Sequence, residues 1–234
     1  KINLCLESVT WADEIIIVDS GSTDSTVEIC YQYTSKVYTM DWPGFGPQKN
    51  RALAYATCDW VLSIDADECV TPELKEEIQC ASSDDNFEIY DMPRLSSFCG
   101  RYLHHGGWHP DYVTRFFKNG SAVFSNDLVH ERLVFKAKKR KLKSSLMHAS
   151  IDNLDLMLSK INTYSTAGTQ RILNKGKKVG LFSALSHGFW IFFRTYFLRL
   201  GFLDGKEGFI MAISSGENTY YRYLKAYYLQ KSKL

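Results

Sequence analysis

Two apolar runs in this chain stop at carboxylates. Glu14 to Val18 (EIIIV) leads into Asp19-Ser20-Gly21-Ser22-Thr23-Asp24, and Trp60 to Ile64 leads into Asp65-Ala66-Asp67-Glu68. A short continuous apolar run closed by a polar turn suits a buried strand of a parallel sheet, and ligands of such open sheets sit at the carboxyl ends of the strands. Acids gathered there repel one another and lose hydration unless a cation or hydrogen-bond donor offsets the cost. A divalent ion bridging a diphosphate would do so, because hard carboxylate oxygens suit magnesium or manganese. The alternative is that Asp19, Asp65 and Asp67 only cap the helices that follow them.

Further along, His104-His105-Gly106-Gly107-Trp108-His109-Pro110-Asp111 gathers three histidines and a tryptophan around a Gly-Gly pair. It reads as a mobile, ligand-facing loop in which Trp108, with His109 beside it, stacks on a sugar face. The spacing matches no standard zinc ligand set. Arg115 is either a group that stabilises phosphate charge or a strand-edge partner in an ordinary salt bridge.

The elements that must position these residues alternate. The opening, Lys1 to Val9, reads as helical. A strand over Glu14–Val18, a helix from about Ser22–Ser25 with Ser25 and Glu28 at capping-box spacing, and a strand over Lys36–Met40 follow. Pro43 to Pro47 reads as a loop before a helix over Gln48–Ala56. Thr71-Pro72-Glu73 has the N-cap and first-turn proline of another helix, after a strand over Trp60–Ile64. Strand–helix alternation to about residue 80 predicts parallel βαβ units. Beyond it, a strand over Phe87–Pro93, a hairpin of Val113–Lys118 with Ala122–Ser125 around Asn119-Gly120, and a strand over Arg132–Phe135 are expected. From Asp152 the chain reads as helical, so the expected division is a catalytic domain over 1–150 and a helical tail over 151–234.

The segments WADEIIIVDSGSTDSTVEIC, GFGPQKNRALAYATCDWVLSIDADECVTPEL and FSNDLVHERL closely resemble family 2 inverting glycosyltransferases, in particular the lipopolysaccharide core glucosyltransferases of Gram-negative bacteria. The resemblance implies an α/β fold of the GT-A type: a Rossmann-like mixed sheet flanked by helices, here with the aromatic, basic helical tail and with Lys1 to Val9 expected to be the later part of a helix that follows the family's first strand. It implies that a hexose, first of all glucose, passes from a UDP-sugar to a core heptose or similar glycolipid acceptor. By the same resemblance Asp19 and Ser20 hold the uridine and ribose, although relatives often carry two acids where this chain has Asp-Ser. Lys49 and Arg51 match basic or polar positions near the nucleotide, unless they form a solvated helix face. Asp65 and Asp67 match the Asp-x-Asp motif, with Asp67 the first choice for direct contact to Mg2+ or Mn2+ and Asp65 for ribose or metal-bound water. The reaction also needs a base for the acceptor hydroxyl. Asp127 and Glu131 are the candidates, the resemblance favours Glu131, and His130 is either a ligand of the metal or diphosphate or a packed imidazole.

The bulk composition sets the frame. A chain of 234 residues, 45% apolar and 14% aromatic, can bury a sizeable core. Up to Phe135 it holds 10 Lys and Arg against 21 Asp and Glu, and after it 18 against 5, giving about −11 and +13. Such asymmetry suggests chemistry in one part and an anionic surface for the other. Six cysteines without metal-ligand spacing read as buried, reduced thiols of a cytosolic protein. No run of about 18 apolar residues would span a bilayer. The basic run Lys136 to Lys143 lacks a nucleic-acid fold signature, whereas Phe182 to Phe202 mixes aromatics with Arg194 and Arg199 as an interfacial helix does. The tail therefore suggests peripheral membrane association, which the resemblance places at the cytoplasmic face of the inner membrane, unless the aromatic stripe only packs against protein. Two other functions fit parts of the chain: a haloacid-dehalogenase-like phosphatase, from Asp-Ala-Asp-Glu-Cys after an apolar strand, and a non-catalytic or truncated sugar-nucleotide binding membrane protein.

Overall fold

A computed structural model describes residues 1–125 and 132–231. The chain forms two compact units, one of residues 1–94 with 112–148 and the other of residues 95–111 with 149–234.

The first unit opens with α1 (Ile2–Glu7), β1 (Ile17–Asp19), α2 (Thr26–Tyr31), β2 (Val37–Thr39) and α3 (Phe45–Ala54). Then come β3 (Trp60–Leu62), β4 (Glu68–Val70), α4 (Pro72–Ser82) and the long β5 (Ile89–Phe98). β1 and β2 pair in parallel, Ile17 opposite Val37, as alternation predicts. The capping box before α2 does not form: the Ser25 side chain makes no cap bond, and the Asp24 carboxylate accepts from the Thr26 N–H instead. α3 starts inside the expected loop, because Pro47 lies in its first turn, where a missing N–H leaves no helical bond unmade. Thr71 caps α4 as its sequence predicts, accepting from the Leu74 N–H at 3.2 Å.

After β6 (Arg101–Tyr102) follow β7 (Asp111–Lys118), β8 (Ala122–Phe124), β9 (Leu133–Phe135), β10 (Lys139–Lys141) and β11 (Leu146–Ile151). The larger sheet runs β3-β7-β5-β11-β4, with β10 and β6 also on β5. β3 is antiparallel to β7, so the parallel expectation fails at the third strand. The expected hairpin fails too: β8 pairs with β9, Ala122 opposite Phe135. Asn119 explains this, since its side chain donates to the Ala56 and Cys58 carbonyls and its N–H to Asp59, which ties the turn to the loop before β3. The basic run is used locally: β10 lies parallel to β5, with Lys139 paired to Asp91 at 2.7 Å and Arg140 to Asp84 at 3.1 Å. Leu74, Ile78, Tyr90, Met92 and Leu146 form the main core of this unit.

The second unit is mainly helical: α5 (Leu154–Asn174), α6 (Leu181–Phe193), one π turn (Arg194–Leu198), one 3-10 turn (Gly201–Asp204) and α7 (Gly205–Lys231). Its core joins Phe98, Leu103, Ile151, Met157, Ile161 and Met211. All six cysteines are free thiols. Cys5 and Cys30 are buried, and burial pushes the Cys5 thiol up to about 12; Cys80 and Cys99 are exposed, against the expectation that all are interior.

Candidate active site

The turn Asp65-Ala66-Asp67-Glu68 joins β3 to β4 and is closed from both sides. The Glu68 N–H donates to the Asp65 carbonyl, and the Asp65 N–H donates to Glu68 Oε2, each at 2.9 Å. Glu68 is fully buried, so its charge must be met locally. Arg115 from β7 and Arg94 from β5 meet it, at 3.1 and 3.3 Å. Arg115 also pairs with Asp65 Oδ2, while Lys49 from α3 reaches Asp65 Oδ1 at 3.0 Å. Partial burial pushes the Asp65 carboxyl up, but the two cations outweigh it and hold its pKa at about 2. Charge around Arg115 acts reciprocally: burial opposes its guanidinium, and Glu68 and Asp65 raise its pKa.

Asp67 stands differently. Its side chain is 34% exposed and lies 3.5 Å from His148 Nε2 on β11. Burial again opposes ionisation, and the His148 hydrogen bond and charge hold the carboxyl below the usual range. Among the described residues no three acidic, histidine or cysteine side chains cluster tightly enough to hold a metal by themselves. A carboxylate beside an imidazole nevertheless fits an ion that takes its remaining ligands from a diphosphate and water, as magnesium sites commonly do. Asp65 differs from the metal-ligand expectation, because both of its oxygens face cations.

Four consecutive residues of α3 each hold a different neighbour, one of them the acidic turn. Gln48 donates to the Ser20 hydroxyl at 2.9 Å, Lys49 pairs with Asp65, Asn50 exchanges bonds with the Phe124 backbone at 2.8 and 2.9 Å, and Arg51 pairs with Asp41 at 2.9 Å. A helix turns 100° per residue, so these side chains point to nearly every quarter. The end of β1 is thereby linked through α3 to the acidic turn. Asp19 itself is buried and accepts from the Gly21 and Ser22 N–H groups and the Ser22 hydroxyl. Burial raises its pKa, but these donors outweigh it and lower the value. They also hold the loop that presents exposed Ser20.

Asp65, Asp67, Lys49 and Arg115 are thus brought together, Ser20 is joined to them through Gln48, and Arg51 is engaged by Asp41. Asp127, His130 and Glu131 lie outside the described residues. Trp108 and His109 belong to the second unit, in a loop that is held rather than loose. The His104 and His105 N–H groups donate to Asp204, His105 Nδ1 is 2.9 Å from the same carboxylate, and the Gly106 N–H donates to the Arg199 carbonyl. Trp108 packs on that unit's core. Sequence reasoning missed Gln48, Glu68, Arg94 and His148. Gln48 was legible in principle, since four consecutive polar residues cannot all face solvent on one helix; His148 depends on register, as β11 sets it opposite Glu68.

The glycosyl transferase family 2 profile matches residues 2–153, which include β1, α3, the acidic turn and β11. An uncharacterised glycosyltransferase of Rickettsia felis is 31% identical over 216 residues, covering 85% of this chain and 74% of the relative. The lipopolysaccharide core biosynthesis glycosyltransferase LpsC of Rhizobium meliloti is 27% identical over 239 residues, covering 95% and 86%. Among solved structures, S. aureus TarS 1-349 in complex with UDP-GlcNAc aligns with a TM-score of 0.48 at 14% identity, over 98% of this chain and 88% of that one. The phosphatase reading rested on the acidic turn alone, whereas the family profile takes in that turn together with the strand ends and helix tied to it. The chain belongs to glycosyl transferase family 2.

Proposed function

We propose that this glycosyltransferase moves a hexose, first of all glucose, with inversion from a UDP-sugar to a heptose of the lipopolysaccharide core or a similar glycolipid, at the cytoplasmic face of the inner membrane. The observation that carries the reading is the unequal treatment of the two aspartates: Asp65 is neutralised by Arg115 and Lys49, while Asp67 sits at a partly exposed edge beside His148. Asp67 and His148 are the residues that would hold Mg2+ or Mn2+, and the ion supplies charge neutralisation for the departing diphosphate. Lys49 and Arg115 cancel the Asp65 charge, which removes that carboxylate's repulsion toward an anionic donor. Asp19 shapes the loop that presents Ser20 to the nucleoside. Trp108 and His109 are assigned to the acceptor, Glu131 to the base that takes the acceptor proton, with Asp127 as its alternative and His130 as a further metal or diphosphate ligand. The acceptor class is supported by the similarity to LpsC over 95% of this chain.

The test is UDP release from a UDP-sugar with Mn2+, together with calorimetric titration of UDP. Asp67→Ala is expected to weaken metal-dependent UDP binding by about ten-fold or more, the effect of losing a metal ligand or its support. Glu131→Gln is expected to keep UDP binding and lose turnover by about 100-fold or more. Equal, small effects of both changes would overturn the assignment.

A further inference from the structure

α6 is built inside out for a helix surrounded by water. Its face toward α7 is small: Ala184 and Gly188 are buried, and a Cβ at Gly188 would stand 3.0 Å from the Tyr220 Cβ and 3.2 Å from the Gly216 carbonyl. Its large side chains turn outward. Phe182 is 81% exposed, Phe189 68% and Trp190 51%, with Leu185 on the same side. The rings touch each other rather than a core, Phe189 and Trp190 both stacking on Phe193 at 6.5 and 6.2 Å. The following turns continue the surface with exposed Leu198, Phe202 and Leu203. A water-facing helix does the reverse, and small residues inward with large apolar residues outward is the arrangement of helices that face lipid. A contiguous apolar surface of this kind marks an interaction site.

Charge selects the partner. Between Asp155 and Asp204 the chain carries seven Lys and Arg and not one acid. Lys175, Lys177 and Lys178 are exposed directly before α6, and Arg199 is exposed directly after the π turn. Cations bordering an apolar face at both ends match a bilayer whose headgroups are anionic. At 13 residues α6 is too short to cross a bilayer, and no helix among the described residues is long and apolar enough to do so.

We infer that the outward face of α6 and the turns after it insert in the plane of an anionic membrane, with Phe182, Phe189 and Trp190 in the acyl boundary and Lys175, Lys177 and Lys178 on the headgroups. This deepens the proposed site of action by naming the surface responsible, and it stands without the donor or acceptor assignment.

The experiment is flotation of the full chain with vesicles of phosphatidylcholine alone or with about 30 mol% phosphatidylglycerol, an anionic content that gives cationic segments a surface potential to read. The wild type floats with the anionic vesicles and is released by salt. The double variant Phe182→Ser/Phe189→Ser loses about ten-fold or more in partitioning, because the buried apolar area goes. The triple variant Lys175→Ser/Lys177→Ser/Lys178→Ser loses binding selectively on anionic vesicles. Both should release UDP from a donor as the wild type does, so a failed flotation is distinguishable from a failed donor assignment. Absent flotation, or flotation indifferent to both variants, overturns the inference. So does light scattering that shows a dimer without lipid which Phe189→Ser converts to monomer, since a second copy then covers the face.

Discussion

At the scale of single residues, the acidic turn is a question of which charges are neutralised. Glu68 is wholly buried and holds two arginines and a backbone N–H, so it positions the turn without touching its exposed edge. Removing its charge takes one of two carboxylates from buried Arg115, which keeps Asp65, and one partner from the partly exposed Arg94. Glu68→Gln is therefore expected to cost about 3–5 kcal/mol, the usual penalty for breaking a buried ion pair on one side. Urea denaturation checks this, and an unchanged midpoint would show that the arginines find other partners. Asp67 is partly exposed and its stabilising contact is the one with His148, so Asp67→Ala should lower the midpoint less than Glu68→Gln while it weakens metal-dependent UDP binding.

At the scale of elements, helix ends and close approaches carry the positional information. α7 begins against the 3-10 turn so tightly that a Cβ at Gly208 would stand 1.9 Å from the Gly201 carbonyl oxygen. That contact is with backbone, and no rotamer change relieves it. Gly208→Ala is expected to destabilise by about 1–3 kcal/mol or more, the cost of overpacking, and to lower the melting temperature. Gly180→Ala is the matched control, because a Cβ there meets nothing within 4 Å. Equal melting temperatures for the two variants would refute the close-approach argument.

At the scale of the whole molecule, stability should fall in acid for a definite reason. Asp19, Asp65 and Asp67 all have folded pKa values below the ordinary carboxylate value, and Asp65 lies at about 2. A lowered folded pKa contributes stability that is complete above the unfolded value of about 4 and is lost as the pH falls through the folded value. The urea midpoint should thus hold from neutrality to about pH 4 and decline between there and about pH 2. Asp65→Asn should show a shallower decline, and an identical slope would mean that the ion pairs with Arg115 and Lys49 persist in the unfolded chain.

Much of this molecule was written locally. Apolar runs ending at Asp19 and at Asp65, the Thr71-Pro72 start of α4, the helical character beyond Asp152 and the family motifs are short-range patterns, so the GT-A class of α/β fold and glycosyl transfer could be read from them. What tertiary structure alone decided is pairing and charge compensation. β3 runs antiparallel to β7 and the Asn119 turn is tied to the loop before β3 because partners distant in sequence arrive there, and that tie leaves β8 to pair with β9 rather than β7. The same holds for Arg94, Arg115 and His148, whose strands bring them to the acidic turn from 26 or more residues away. A residue's type announces that it needs a partner; only the packed chain determines which one it meets.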